Sequence, residues 1–127
     1  MMDIDTKTRL AYQNNTGLEA SAIRLRAAYH VTGLKTHKEL AKECGIKHTA
    51  LSNAMNGLTY PNRDVLSYLY RAHRIDFNFT MIGLFAQLPS DVQSALFPAL
   101  ERAKREWDQR ENSDRARANS PRAQLQT

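Results

Sequence analysis

At 127 residues the chain has room for one small domain with appendages, and its 42% hydrophobic and 24% charged content is that of an ordinary globular protein. No apolar run approaches the ~20 residues that span a bilayer, and the N-terminus MMDIDTKTRL lacks a cationic-then-apolar leader, so a cytoplasmic protein with no membrane partner is expected. The net charge of +5 lies mainly in residues 18–74, which carry nine basic and four acidic side chains, and a basic domain favours a polyanionic partner.

Cys44 stands alone, which excludes an internal disulfide, and its place on an apolar helical face reads as a small core hydrophobe. His30, His37, His48 and His73 show no metal-ligand spacing. No glycine-rich phosphate loop and no serine or cysteine in a nucleophile context is present, so neither an enzyme, a metal nor a cofactor is expected.

Residues 1–15 form either an arm or a short helix, in which Thr6–Gln13 would have Ile4, Leu10 and Tyr12 as its apolar anchors. Thr16 and Glu19 have the spacing of a capping box and predict a helix starting near Gly17. Leu18, Ala22, Leu25 and Tyr29 recur at helical spacing, with Ile23 and Ala27 beside them, which puts Arg24 and Arg26 on outer faces. Gly33 should end that helix.

Thr36 to Gly57 then reads as two short helices joined by a tight turn. Thr36 with Glu39 is a capping box, Leu40, Ala41 and Cys44 share one face, and Gly45 supplies the left-handed stop. A second helix should begin near Lys47 or His48, face Leu51, Ala54 and Met55 inward and end at Asn56-Gly57.

After the loop Tyr60-Pro61-Asn62, Asn62 can cap a helix whose core stripe is Val65, Leu66, Leu69 and Ala72. Tyr68 and Tyr70 cannot both face inward. A short helix follows, capped by Asp76 or Asn78 and stopped by Gly83, with Phe77, Phe79 and Ile82 closing the core. Ser90 starts a long helix with one stripe: Val92, Leu96, Ala99/Leu100, Ala103 and Trp107, which Pro98 should kink or split near Phe97. From Glu111 onward almost nothing is apolar, and disorder is expected.

The run THKELAKECGIKHTALSNAMNG, with its crossing Ala41, turn Gly45 and packing residues Leu51 and Ala54, resembles the DNA-binding helix-turn-helix of the lambda-repressor-like family, the Cro/C1 or XRE type. Gly57-Leu58-Thr59-Tyr60-Pro61 is similar to the family's glycine-to-proline loop, Asn62–Arg74 to its fourth helix and Ile75–Gly83 to its fifth. The resemblance spans about residues 18–84 and implies an all-α fold. Its expected parts are an arm or short helix over 1–15, a five-helix helix-turn-helix domain over 16–84, a C-terminal helix for dimerisation over 85–110 and a disordered tail over 111–127.

The resemblance further implies a dimeric, sequence-specific regulator, a repressor of phage or mobile-element type, whose second motif helix reads a palindromic operator in double-stranded DNA. A recognition helix needs polar side chains on its outward face, long enough to reach base edges. His48, Thr49, Ser52 and Asn53 are the base-contacting candidates; His37, Lys38, Lys47, Asn56, Thr59 and Arg63 are the phosphate-contacting ones. His37 and His48 depart from the family's usual glutamines, and Asn53 from a frequent basic residue.

The last stripe either packs back on its own domain or meets a second copy; because the five-helix domain is expected to have a closed core without it, Val92, Leu96, Leu100, Ala103 and Trp107 are assigned to a homodimer interface. The family's fifth helix and the loop before it form the other candidate interface. The chain has no room after residue 84 for a self-cleaving peptidase domain, so an antirepressor or toxin protein is a possible further partner. An alternative of the same fold is an antitoxin or anti-activator whose C-terminal region binds a protein.

Overall fold

The structure, a computed structural model, describes residues 2–118, and every regular element among them is a helix. These are α1 (Ile4–Leu10), α2 (Leu18–Thr32), α3 (His37–Cys44), α4 (His48–Met55), α5 (Arg63–His73), α6 (Phe77–Ile82) and α7 (Ser90–Ala118).

Residues 1–15 do contain a helix, because Asp3 Oδ1 accepts from the Thr6 amide and caps α1. Helix α2 starts differently from expectation. Thr16 makes no capping bond there: Gly17 is the N-cap without a side-chain acceptor, and its amide donates to Asn15 Oδ1. Glu19 is free of a capping role and accepts from the Trp107 indole N–H at 2.9 Å instead. Leu18 is also 37% exposed.

Helix α2 is the axis of the molecule. Ala20 to Leu25, Ala27 and Ala28 are all buried, so the helix is surrounded rather than laid on a surface, and its alanines let neighbouring helices approach closely. Helices α4, α5, α6 and α7 all pack against it, α7 most extensively. One continuous core joins Ile23, Leu25, Leu40, Leu51, Leu69 and Phe79 to Leu96 and Leu100.

That continuity corrects the C-terminal assignment. Val92, Leu96, Leu100, Ala103 and Trp107 were expected at a dimer interface, but they are 5%, 0%, 0%, 0% and 5% exposed within the single chain. Residues 85–110 therefore complete the core of the domain instead of forming an appendage. The physical reason is α2, whose buried residues lie on nearly every side of the helix and leave a second face that α7 covers.

Pro98 neither ends nor splits α7, which runs through it as one helix. Proline inside a helix costs about 3 kcal/mol. Pro98 is exposed, as is Ser94, whose carbonyl it leaves without a helical donor, while Leu96, Phe97, Ala99 and Leu100 on the buried side hold both halves in place. Helix α7 also continues to Ala118, so residues 111–118 are helical, against the expected disorder; residues 119–127 lie outside the described part.

Smaller departures occur at the bottom of the core. Phe79 is buried, but Phe77 is 50% exposed and Ile82 only half-buried. Ala72 is exposed. Asp76 caps α6 by accepting from the Phe79 amide at 2.9 Å. Gly83 ends it with φ +83, and a Cβ there would lie 2.4 Å from the Ala11 carbonyl oxygen, so α1 and α6 approach only because residue 83 is glycine.

Candidate nucleic-acid interface

Helices α3 and α4 are set by local chemistry. Thr36 Oγ1 accepts from the Glu39 amide at 3.1 Å, and Glu39 reaches back to the Lys35 amide, one residue before the expected Thr36. Gly45 takes φ +73, and the Ile46 amide donates to the Ala41 carbonyl at 3.0 Å, the long bond that closes a left-handed helix end. Leu40, Ala41, Leu51, Ala54 and Met55 are buried. The inward face of both helices is thereby locked to the core.

The opposite side of α4 is open. Lys47, His48 and Thr49 at its start are exposed, and Ser52 and Asn53 are half-exposed one turn on. Two grooves flank it. One, of about 550 Å³, is lined by Thr36, Lys38, Glu39, Lys42, Ile46 and His48. The other, of about 180 Å³, runs between Asn53 and the loop carrying Thr59, Tyr60 and Asn62. Lys38, Lys42, Lys47, Thr59 and Arg63 are all exposed around this surface, as are Glu39, Glu43 and Asp64. The surface is thus cationic in patches, not uniformly.

His37 is half-buried, with its ring edge-on to Tyr29 at 4.6 Å between centroids. Burial lowers its pKa below the ordinary histidine value, and Arg26, His48 and His30 add to that, against an opposing effect of Glu106. The neutral ring is thereby favoured at the start of α3. Its neighbour His30 pairs with Glu106 of α7.

Asn56 departs from its expected part. Its Oδ1 accepts from Arg26 Nη2 at 2.9 Å and its Nδ2 donates to Ser52 Oγ at 3.4 Å. The side chain is held inside a network and is not free for a phosphate. Asn62 is likewise committed, accepting from the Val65 amide to cap α5.

Two residues at this surface escaped sequence reasoning. Lys42 lines the larger groove. Tyr60, 47% exposed, donates through its hydroxyl to the Thr16 carbonyl and pins the loop after α4 to the start of α2. Arg26 was assigned to an outer face but is half-buried and bonds the end of α4. No local pattern marks that contact, because its partners are about thirty positions away.

No family model, curated protein or solved structure matches the chain. Among the described residues no helix is long and apolar enough to cross a membrane.

Proposed function

We propose that the protein is a sequence-specific, double-stranded-DNA-binding transcription regulator with a lambda-repressor-like helix-turn-helix, acting in the cytoplasm as a dimeric repressor of phage or mobile-element type. The observation that carries this reading is α4: its inward residues are fully committed to the core, while His48, Thr49, Ser52 and Asn53 form a polar surface between two grooves. Asparagine can pair with adenine N6 and N7, histidine can donate to guanine N7 or O6, and the threonine methyl can contact thymine. Lys38, Lys47, Thr59 and Arg63 surround that helix, exposed and able to reach phosphates.

With the α7 stripe consumed inside the chain, the dimer interface supported best is the other one, around α6. Tyr70 and Phe77 are 57% and 50% exposed and line a cleft of about 220 Å³ with Asp76 and Asn78. A two-fold pair through this patch would present two copies of α4 to half-sites about 34 Å apart. The antitoxin or anti-activator reading depended on a C-terminal region free for a protein partner; its apolar stripe is buried, and no observation favours that reading.

The test starts with selection of a preferred duplex from a random pool. Asn53→Ala and His48→Ala are then expected to cost ~1–3 kcal/mol each on the selected duplex and little on a scrambled one. Lys38→Ala should weaken both and lower the salt slope by about one per site. Full preference retained in both Asn53→Ala and His48→Ala would remove α4 as the reader.

A further inference from the structure

The last turn of α4 is held from outside the motif. Arg26, on α2, donates through Nε to the Met55 carbonyl at 2.8 Å and through Nη2 to Asn56 Oδ1 at 2.9 Å. Those are groups at the C-terminal end of α4, where carbonyls lack intrahelical partners and a cation is favoured. Asn56 in turn reaches Ser52 Oγ. One guanidinium thus spans from the helix end to a side chain on its reading surface.

Arg26 is itself braced by α7. Its guanidinium carbon lies 5.5 Å from the centre of the Trp107 ring, and that of Arg110 lies 4.9 Å from it. The indole N–H is shared between Glu19 and Glu111, at 2.9 and 3.0 Å, which fixes the ring orientation. The same ring lies over Gly57, where a Cβ would sit 3.1 Å from Trp107 Cη2. Gly57 and Leu58 close the end of α4 by donating to the carbonyls of Ala54 and Asn53. Trp107 therefore touches the end of α4 by two routes, through Arg26 and through the backbone at Gly57.

We infer that Arg26, braced by Trp107, is a positioning residue that couples α7 to α4 and sets the placement of Ser52 and Asn53 for reading DNA. Its consequence for DNA rests on the function proposed above; the coupling itself does not. A short helix of eight residues is marginal alone, so its last turn depends on what holds it.

The experiment compares Arg26→Gln, Arg26→Lys and Asn56→Ala with the unaltered full chain. Asn56→Ala leaves the Met55 and Trp107 contacts of Arg26 intact, so it guards against loss of folding. The first readout is amide hydrogen exchange without DNA. The amides of Asn56, Gly57 and Leu58 are expected to exchange about tenfold faster in each variant, with those of Leu40 and Ile46 unchanged. The second readout is the ratio of selected to scrambled duplex affinity, expected to fall about tenfold. Arg26→Lys keeps the charge but lacks the planar fork that places Nε and Nη2 on two separate acceptors, so it should behave like Arg26→Gln.

Exchange that is unchanged, or raised uniformly through the domain, overturns the inference. So does full recovery by Arg26→Lys, which would mean that charge alone matters. Selective exchange with an unaltered duplex ratio overturns the link to reading. If the unaltered chain itself prefers no duplex, the DNA reading fails, while selective exchange still supports the brace.

Discussion

Arg24 is the largest fully buried side chain among the described residues. Its guanidinium donates to five carbonyl oxygens, those of Ala11, Tyr12, Asn15, Thr80 and Met81, at 2.8–3.1 Å. These carbonyls lie just past the end of α1 and in the last turn of α6, so one cation serves two helix C-termini and the loop between α1 and α2. Burial lowers its pKa to about 10, which leaves it charged at neutral pH. Such a group stabilises only while all its partners are in place. Arg24→Met keeps the stem but strands the carbonyls, and urea unfolding should show a loss of ~3–5 kcal/mol. A loss within about 0.5 kcal/mol would mean that water replaces the guanidinium without cost.

At the scale of elements, α7 supplies a large share of the core. Leu96 and Leu100 are fully buried, and Val92, Phe97 and Trp107 nearly so, in the core that includes α2. Each such side chain contributes about 1.5–3 kcal/mol on burial, against a net stability of about 5–15 kcal/mol for a domain. Phe97 also stacks edge-on to Phe85 at 5.2 Å, and Lys7 of α1 lies over it at the same distance, so α7 ties in the N-terminal helix as well. A chain ending at Gly83 should therefore fail to fold cooperatively in thermal melts followed by circular dichroism. In the full chain, Leu100→Ala should cost ~2–5 kcal/mol. A truncated form that melts as sharply as the whole protein would show that α2 can cover its second face in another way.

At the scale of the whole molecule, the proposed dimer rests on two exposed aromatic side chains, Tyr70 and Phe77. Tyr70 and Phe77 lie together around one cleft, whereas Leu58, 67% exposed, lies beside the end of α4 and Ile4 on α1. Phe77→Asp puts a charge into that cleft beside Asp76 without touching the core, since Phe79 carries the burial of α6. The variant should sediment as a monomer with its melting temperature nearly unchanged, and its affinity for a two-half-site duplex should fall while that for a single half-site stays. A Phe77→Asp chain that remains dimeric would place the interface elsewhere.

The order of elements was legible along the chain because short-range chemistry determines it. The Thr36 cap, the Gly45 turn, the Asn62 cap and the Gly83 stop each act within a few residues, and each appears where its residue type requires. The polar surface of α4 was legible for the same reason: helical periodicity alone separates Leu51, Ala54 and Met55 from His48, Thr49 and Asn53. Periodicity says that a stripe will be buried but not against what. Hence the stripe of α7 could be read, while its partner, the second face of α2, was decided only by packing. The two arginines of α2 show the same limit. A charged side chain on a helix defaults to solvent unless distant groups meet it, and the partners of Arg24 and Arg26 come from the ends of α1, α4 and α6, which only the tertiary structure brings to one place.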